Sequence, residues 1–520
     1  MTTLTSTHTV STDELARIKH PNVGIVNETG NHDGSFSQLS GPFASYERTV
    51  SLVAAGQERH TVTQTIRYQL RMPYVGWIIA LPLKRALRPS VPAIDSPRHT
   101  PWWAPPDQLD AHTINVLGLL CGASIVGGYL NTLITQSILP ASDEFGTSKH
   151  TEAIALAVVR IGILISLALA TVADRKGRRN AILLCLVAGP IFAALGALSP
   201  NLMFLTITQL VSRSFALGLG ILIPIFAAEE MPKNSRAYAL SMTSLGMAFG
   251  AGLCVFSLHL ADLGVRGWRL MYVVPLLGLA IAAHMFRKLP ESRRFDAHRP
   301  DESAAAESPH HRPSLKQNMG RLVMLCVGLA LLNVFVAPAS QLQNRYLNNE
   351  RGFTKGDISN FTLLTNTPGG IGVAVGGKLA DAYGRRIVGA VAVAALGICT
   401  TASYFASGVW LWLWAAVGAI IGSATIPSLS VYLPELFPTA LRGKANGIIS
   451  TVAVMGSAIG LITVGYLSDR WGRVGPAIAI MCIGPLVLAA LVILKFPETA
   501  HKELEQLNPQ DAELASTPGG

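Results

Sequence analysis

Charged residues are scarce in this chain. Of its 520 residues only 14% are Asp, Glu, Lys or Arg, whereas 50% are hydrophobic, and the mean hydropathy is positive. A soluble domain usually carries about 25% charged residues. The low charge therefore argues against an ordinary soluble protein.

Cysteine is also rare. All six cysteines fall inside apolar runs, so none of them lies in a loop between runs. This placement gives no indication of a disulfide framework or a metal site, and it is typical of small buried residues. They are Cys121, Cys185, Cys254, Cys326, Cys399 and Cys482.

Signals for several other functions are missing. Residues 1–20 are polar, so we expect no cleavable signal peptide. No glycine-rich phosphate-binding motif supports ATP-driven pumping, and no nucleophile with a neighbouring base supports an enzyme. We therefore expect no catalytic residue, no cofactor and no bound metal.

Long apolar runs are what the chain has instead. From Thr113 onward there are twelve runs of roughly 19 to 27 residues, each long enough to cross a hydrocarbon core of about 30 Å as a helix. Because only helices or closed barrels satisfy the backbone in lipid, the sequence predicts an all-α membrane protein with twelve transmembrane helices. We call the runs spans 1 to 12; they cover residues 113–136, 151–171, 180–198, 202–228, 237–260, 268–287, 320–343, 357–377, 386–406, 409–433, 444–466 and 475–496.

The net charge of +10 is unevenly distributed. With a cytoplasmic N-terminus, the five inner loops and the span ends bordering them hold 19 Lys or Arg, whereas the six outer ones hold 8. Cytoplasmic loops of membrane proteins carry such an excess. The charge thus predicts that both termini are cytoplasmic, and it gives no reason to expect nucleic-acid binding. We call the opposite face of the membrane the outer side.

Several sequence landmarks recur at one offset. DRKGRR at 174–179 is matched by DAYGRR at 381–386, and EEMPKNSR at 229–236 is matched by ELFPTALR at 435–442. PES at 290–292 recurs as PET at 497–499, and the outer Asp262 corresponds to Asp469. The constant offset of 206 or 207 residues indicates an internal duplication.

The duplication divides the chain into parts. It predicts two pseudo-symmetric six-helix bundles, which we call the N-half and the C-half. A weaker three-helix repeat within each half is a known layout of transporters. The predicted parts are an N-terminal extension (1–112), the N-half (113–287), a cytoplasmic linker (288–319), the C-half (320–496) and a cytosolic tail (497–520).

From about residue 110 to 505 the chain resembles the major facilitator superfamily of secondary transporters. The matching stretches are VADRKGRR (172–179), LADAYGRR (379–386), SRSFALGLGILIPIFAAEEMPKNSR (212–236), GWRLMYVVPLLG (267–278) and PELFPTALRG (434–443). They look most like the sugar-porter and organic-ion branches. The resemblance implies transport by alternating access, and it leaves the substrate undefined.

Loop charges form a first set of candidate residues. A glycine between charges permits a tight turn between helices, and Asp174 or Asp381 can accept hydrogen bonds from the arginines that follow. The resemblance implies that such clusters latch the outward-facing state and release as the halves rock. The alternative is that they only retain the loops in the cytoplasm. The candidate gating residues are Asp174, Arg178, Glu229, Arg236, Asp381, Arg385, Glu435 and Arg442.

Two arginines lie deep within apolar spans. Arg160 in span 2 and Arg213 in span 4 are roughly 14 to 17 Å from their outer ends at 1.5 Å per residue. Neither has an acidic partner on its own helix face, and ionisable groups at such depth usually mark function. We interpret them as contacts for an anionic substrate; the alternative is that they are structural and reach helix carbonyls or the membrane interface.

Polar residues at helical spacing complete the candidate substrate site. Ser124, Asn131 and Thr135 share one face of span 1, and spans 7 and 8 add further amides. Such a stripe is either cavity lining or interhelical contact. The predicted substrate-binding residues are Arg213, Arg160, Asn131, Ser124, Thr135, Asn333, Gln341 and Asn366.

Span 1 departs from the family pattern. In proton-coupled sugar porters an Asp usually follows Gly-Tyr, whereas this sequence reads GGYLNTL and has Leu130 and Asn131 at that point. Coupling through the usual carboxylate is therefore in doubt. A coupling ion and uncoupled transport both stay open.

The first 112 residues lie outside the resemblance. Residues 48–73 alternate between polar and apolar around a turn, which predicts strands and gives the extension an α+β character. Residues 72–89 have too few apolar residues to span and end in basic ones, so they fit the cytoplasmic interface, helped by Trp102 and Trp103. The alternative is that this stretch packs in the core of a small soluble subdomain.

Taken together, the sequence predicts a secondary active or facilitative transporter of a small organic solute, with an organic anion favoured. The alternatives are a sugar porter, a multidrug exporter, or a transporter-like nutrient sensor that signals through the N-terminal extension. We expect a multi-pass protein of the cell membrane that acts as a monomer in the lipid bilayer.

Overall fold

A small β-sheet precedes a bundle of long helices in the computed structural model. The structure describes residues 1–498 apart from 23, 32–33, 56–58, 89–100, 102–103, 106–107, 167, 170–176, 233–234, 292–317, 430–431, 433–435 and 438–440. Trp102, Trp103, most of the predicted linker and nearly all of the predicted tail lie outside the described residues.

Five antiparallel strands form the start of the chain, which we call the sheet module (residues 1–70). The strands lie in the order β1-β5-β4-β3-β2. β4 and β5 pair as a hairpin within the stretch whose alternation predicts strands. A short helix, α1 (Thr12–Ile18), follows β1 and begins with a capping box of Ser11 and Glu14. The strands are β1 (Thr2–Ser11), β2 (Asn27–Gly30), β3 (Phe36–Ser40), β4 (Phe43–Ala55) and β5 (Arg59–Leu70).

One face of the sheet holds a core of its own. Leu83 and Leu87, in and directly after helix α2 (Gly76–Ala86), belong to this core. Part of the 72–89 stretch therefore packs under the sheet. Beside this core the Glu28 carboxylate accepts hydrogen bonds from Arg48 at 2.7 to 3.0 Å and from the Tyr46 hydroxyl at 2.6 Å. These bonds satisfy the buried charges of the pair.

Ten helices among the described residues are long and apolar enough to cross a membrane. They correspond to spans 1, 3 to 7 and 9 to 12. Their bounds are Ala111–Phe145, Arg178–Gly196, Leu202–Ala227, Tyr238–Leu263, Trp268–Lys288, Met319–Gln341, Arg385–Phe405, Val409–Leu429, Gly447–Trp471 and Gly475–Lys495.

The remaining two spans are divided. Span 2 begins as helix Lys149–Arg160, and its inner end runs into residues outside the described part. Span 8 consists of helices Lys355–Asn366 and Gly369–Tyr383, which meet at Pro368. Proline lacks the N–H group that a continuous helix needs, which accounts for the break.

The helix of span 1 is longer than the sequence predicts. It begins after Asp110, whose side chain accepts a hydrogen bond from the N–H of Thr113, and it ends at Gly146 with a φ of +63°. The run predicts an end at residue 136, before Pro140. The helix continues because Ile138 and Leu139 are buried, so packing stabilises the turns around the proline.

Close contacts between helices repeat in the two halves. A Cβ atom added at Gly250 in span 5 would lie 1.9 Å from the carbonyl oxygen of Ile125 in span 1. One added at Gly456 in span 11 would lie 2.8 Å from the carbonyl oxygen of Ala330 in span 7. Small residues let helix backbones approach closely in membranes. The same kind of close approach thus occurs between the first and fifth spans of each half.

Replacing Gly250 by alanine should destabilise the N-half. The new methyl group would meet a backbone oxygen, so spans 1 and 5 must move apart, and overpacking of this kind costs roughly 1–3 kcal/mol. The thermal unfolding midpoint of the purified protein in detergent measures the loss. Gly252→Ala is the matched control on the same helix, because the nearest atom to its added Cβ would be 3.9 Å away. Equal midpoints for the two variants would contradict the close contact.

Candidate substrate site and gates

The two halves meet on the outer side through a buried ion pair. Glu152, near the outer end of span 2, contacts the guanidinium group of Arg345, which follows span 7. Glu152 is 0% exposed and Arg345 is 6% exposed. Removing one partner of such a pair leaves the other charge buried and unpaired, at a cost of about 3–5 kcal/mol. The pair therefore fastens the N-half to the C-half.

Two carboxylates bridge the halves symmetrically at the outer surface. Asp262, at the end of span 5, accepts hydrogen bonds from the backbone N–H groups of Lys355 and Gly356 at 3.1 and 2.6 Å. Its counterpart Asp469, at the end of span 11, accepts one from the N–H of His150 at 2.8 Å. These N–H groups lie at the outer starts of spans 8 and 2, where a carboxylate is favoured. Each half therefore caps a helix of the other.

Further polar contacts join the outer ends. The Asn344 side chain donates to Oε1 of Gln136 at 2.9 Å, and both residues are buried. The Lys355 ammonium group lies 3.1 Å from the Asp143 carboxylate. We call these contacts, with the Glu152 pair and the two carboxylate caps, the outer gate. The outer gate is closed in this structure.

Arg160 connects the halves closer to the middle of the membrane. Its Nη1 donates to Oγ of Ser457 in span 11 at 2.8 Å, and Ser457 donates to Oδ1 of Asn333 in span 7 at 3.2 Å. When the Gln341 amide is oriented with its oxygen towards Arg160, this oxygen accepts a hydrogen bond from Nε of Arg160 at 3.0 Å. Three predicted substrate-binding residues, Arg160, Asn333 and Gln341, thus belong to one network across the halves.

Arg213 has no carboxylate partner among the residues that the structure describes. Within that part of the chain its Nη1 is buried without a hydrogen-bond partner, and the same is true of Oδ1 of Asn131 in span 1. Arg213 lies close enough to Arg160 for the two positive charges to act on each other. Among the described residues no Asp or Glu forms an ion pair with either arginine. The centre of the protein is therefore positively charged.

A cavity of about 380 Å³ lies between spans 1, 4 and 5. Ser124 and Asn131 line it from span 1, and Thr243 lines it from span 5. Gly220 lines it from span 4, and Arg213 lies seven residues earlier, about two turns along the same helix face. Such a volume is within the range of small-molecule sites. The cavity is large enough for a small solute, and Ser124, Asn131 and Thr243 provide polar groups in its wall.

The structure places two predicted substrate-binding residues elsewhere. Asn366 is exposed and lines a separate cavity of about 150 Å³ between spans 7, 8, 9 and 10. Thr135 is half-buried, and its backbone carbonyl oxygen lies 3.4 Å from the Asn344 side chain in the outer gate. Neither residue lines the 380 Å³ cavity. The helical stripe on span 1 extends beyond the cavity, and a stripe alone does not show where the cavity ends.

On the side of the bundle opposite the outer gate, the recurring PES and PET motifs cap helices. The carboxylate of Glu291 accepts hydrogen bonds from the backbone N–H groups of Arg178 and Arg179 at 3.1 and 3.0 Å, at the start of span 3. Glu498 does the same for the first two residues of the span 9 helix, at 3.0 and 3.2 Å. Each glutamate follows the last span of its half. These caps tie the third helix of each half to the sixth.

Among the predicted gating residues, Arg178 and Glu229 contact each other. This ion pair joins the inner ends of spans 3 and 4 within the N-half. Arg385 contributes its backbone N–H to the Glu498 carboxylate. Arg236, Asp381 and Arg442 lie on helices, but the structure does not describe their side chains, and Asp174 and Glu435 lie outside the described residues.

The buried ion pair of the outer gate could not be recognised from the sequence. Glu152 and Arg345 stand at the borders of apolar runs, where charges are common. They are 193 residues apart, so their pairing depends on how the halves meet. The duplication gives no help, because the positions that correspond to Glu152 are Ile358 and Ser359. Ser457 is one small polar residue in an apolar run, and it is equally inconspicuous.

A bundle of helices long enough to cross a membrane, with a cavity between spans 1, 4 and 5 and a closed gate on one side, is an architecture suited to a transporter. The family model for the Major Facilitator Superfamily matches residues 323–518, and that for Sugar (and other) transporter matches residues 124–320. This chain is therefore similar to families of membrane transporters along both of its halves. It is a membrane transporter that works by alternating access, and it is not an enzyme.

Individual relatives carry different solutes. The glucose transporter GlcP of Staphylococcus epidermidis is 24% identical over 76% of this chain and 96% of its own length. A probable 4-methylmuconolactone transporter of Cupriavidus pinatubonensis is 25% identical over 66% and 81%, respectively. The putative niacin/nicotinamide transporter NiaP of Bacillus subtilis is 22% identical over 64% and 83%.

A solved structure has the same fold. The inward-open xylose transporter XylE from E. coli matches 76% of this chain and 99% of its own, with a TM-score of 0.62 and 16% identity. A closed outer gate is consistent with such an inward-open state.

Replacing Glu152 by glutamine should open the outer gate. The substitution removes one charge of the buried pair and leaves Arg345 uncompensated in the closed state. The cost of about 3 kcal/mol to the closed state raises the ratio of outward-open to closed molecules roughly 150-fold. Spin labels at Val265→Cys and Ser407→Cys, on outer loops of the N-half and the C-half, report the separation by electron paramagnetic resonance. We expect a longer distance to gain population.

Glu144→Gln is the matched control for this measurement. Glu144 is also an outer carboxylate paired with an arginine, but its partners Arg269 and Trp268 belong to the same half. Its loss should leave the distance between the labels unchanged. The same distance distribution in Glu152→Gln and the parent would show that the pair does not hold the gate.

Proposed function

We propose that the protein transports a small organic anion, with carboxylates as the favoured class. The observation that carries the proposal is Arg213, whose buried Nη1 has no hydrogen-bond partner among the described residues. Arg213 lies about two helical turns before Gly220, which lines the cavity of about 380 Å³. A guanidinium group presents a planar set of donors that matches a carboxylate. A bound carboxylate would supply the negative charge that the protein does not.

The second arginine supports the same substrate class. The positive charge of Arg213 acts on Arg160, and among the described residues the acceptors of the Arg160 guanidinium, Ser457 and Gln341, are neutral. Like charges held together in a low dielectric favour binding of a counterion. A neutral sugar would leave this repulsion in place.

The relatives are consistent with this choice. Niacin and 4-methylmuconolactone, named for two of them, each carry a carboxyl group, whereas glucose is neutral. The overall similarity to these relatives therefore does not select one substrate class. The electrostatics of the central site favour the acids.

We propose that the substrate itself adjusts the contact between the halves. Arg160 belongs to the N-half, and its acceptors Ser457 and Gln341 belong to the C-half. A carboxylate that binds Arg160 would compete with these acceptors and weaken a cross-half contact. Opening the outer gate then requires that its remaining contacts, those of Glu152, the two carboxylate caps, Asn344 with Gln136 and Lys355 with Asp143, exchange for water.

We also propose the topology that goes with this function. The divided spans 2 and 8 cross the membrane as well, which completes twelve helices in an N-half of residues 113–287 and a C-half of residues 320–496. The basic residues on one side support cytoplasmic termini, an N-terminal extension in the cytosol and a place in the cell membrane. A monomer suffices, because one chain supplies both the site and the gate.

Replacing Arg213 by glutamine should weaken carboxylate binding roughly 10- to 150-fold, because hydrogen bonds to a charged group contribute about 1.5–3 kcal/mol. A panel of carboxylates, each paired with its neutral amide, tests this by the shift of the thermal unfolding midpoint. Nicotinate and nicotinamide form one such pair. We expect the parent protein to prefer at least one acid over its amide, and the variant to lose that preference.

Arg266→Gln is the control for loss of one positive charge, because the Arg266 side chain is 83% exposed on the outer surface. Uptake of the selected acid into vesicles should fall in Arg213→Gln and stay unchanged in Arg266→Gln. If amides and sugars stabilise the parent as well as acids do, and Arg213→Gln has no effect, Arg213 is a structural residue. A neutral solute would then be the better proposal.

A further inference from the structure

Helix α2 presents an apolar face that the described residues leave uncovered. Its Leu83 packs into the core of the sheet module, whereas Trp77 and Leu81 are 64% and 63% exposed. Trp77 and Leu81 are four residues apart and therefore lie on the same side of the helix. Two large apolar side chains next to each other on a surface usually mark contact with a partner or a membrane.

Contacts with the transmembrane helices place this face at the depth of lipid. The Trp77 ring packs edge-on against Phe249 of span 5, with centroids 5.9 Å apart. Phe249 lies roughly 16 Å, at 1.5 Å per residue, beyond Tyr238, where the apolar part of span 5 begins on the cytoplasmic side. Trp77 is therefore level with the hydrocarbon region that span 5 crosses.

The residues just before α2 are fixed against spans 1 and 6. The Tyr74 hydroxyl forms a hydrogen bond with Nδ1 of His284 in span 6 at 2.8 Å. On span 1, Cβ atoms added at Gly118 and Gly122 would lie 2.5 Å from Pro73 and from the Tyr74 ring. These glycines form a notch for the segment. Tyr74 has a φ of +63°, which is unfavourable for a residue with a side chain, so the surrounding contacts must hold it.

The opposite end of α2 and the residues just after it are basic. Lys84, Arg85 and Arg88 are exposed there, and Arg287 and Lys288 are exposed at the cytoplasmic end of span 6. Helices that lie at a membrane surface combine an apolar face in the acyl region with cations near anionic headgroups. Along α2 the apolar residues Trp77 and Leu81 come first, and the basic residues follow them.

We propose that α2 anchors the sheet module in the cytoplasmic leaflet. Trp77 and Leu81 lie among acyl chains, and Lys84, Arg85 and Arg88 bind the headgroups of anionic phospholipids. The bilayer fits both parts of the surface, because it is apolar at the depth of Phe249 and negatively charged where the helix leaves it. This anchor is independent of the transported solute.

Quenching by spin-labelled lipid tests the insertion in vesicles that contain the full-length protein. A bimane fluorophore is attached at Leu81→Cys, and at Val53→Cys on the sheet module as the control. Val53 is 65% exposed, close to the exposure of Leu81. We expect lipid nitroxides to quench the fluorophore at position 81 and to leave the one at position 53 unchanged. Equal quenching at the two positions would overturn the proposal.

The identity of the lipid is tested by comparing two quenchers at equal mole fraction, nitroxide-labelled phosphatidylglycerol and phosphatidylcholine. In the parent, position 81 should be quenched about twofold or more strongly by the anionic lipid, because the three cations attract negatively charged headgroups. The triple variant Lys84→Gln, Arg85→Gln, Arg88→Gln should lose this preference.

A second triple variant, Lys19→Gln, Arg59→Gln, Arg67→Gln, removes the same charge from exposed positions on the sheet module. It should keep the preference for the anionic quencher. No preference in the parent, or an equal loss in both triple variants, would overturn the assignment of the headgroups to Lys84, Arg85 and Arg88.

Discussion

A charged group cannot stay alone in a low-dielectric interior, and this constraint organises the membrane part of the protein. Glu152 finds its partner Arg345 only in the other half, and Arg160 finds its acceptors there too. Separating the halves on the outer side therefore exposes charges that must be paired again, by water or by substrate. Desolvation thus makes the closed gate a discrete state with a definite set of contacts. Arg213 is an exception, because its buried Nη1 has no partner among the described residues. This unpaired donor is the reason for proposing an anion there.

The same constraint acts on helix ends, whose first N–H groups lack partners within the helix. Here the protein uses carboxylates at positions that recur with the duplication. Asp262 and Asp469 cap helices across the halves on the outer side, whereas Glu291 and Glu498 cap helices within each half on the inner side. The outer caps must break when the halves rock, and the inner caps need not. Each half can therefore move as a unit.

Much of this fold could be predicted from the sequence, because apolar runs and repeated motifs are local signals. The strands of β4 and β5 and ten of the twelve spans followed from periodicity and length. Span 1 was predicted too short, since a proline is locally unfavourable in a helix and only tertiary packing around Pro140 overrides it. At Pro368 the opposite happens: the helix is interrupted, as the local preference of proline favours.

The site was only partly predictable, because its residues come from different halves. Depth in an apolar run pointed to Arg160 and Arg213, and helical spacing pointed to Asn131. Neither signal could show that Asn366 lines another cavity, or that Glu152 and Arg345 would meet. Such pairings depend on the relative position of two bundles, for which a single sequence carries no local pattern.

The outer contacts also differ in how far water reaches them. The hydrogen bonds from His150 and Lys355 to their carboxylates are exposed, whereas Glu152 and Arg345 are sealed between the halves. Dissolved ions screen exposed charges over about 8 Å at physiological ionic strength and affect buried pairs much less. A saltier medium on the outer side would therefore weaken the rim of the closed gate and leave its centre intact.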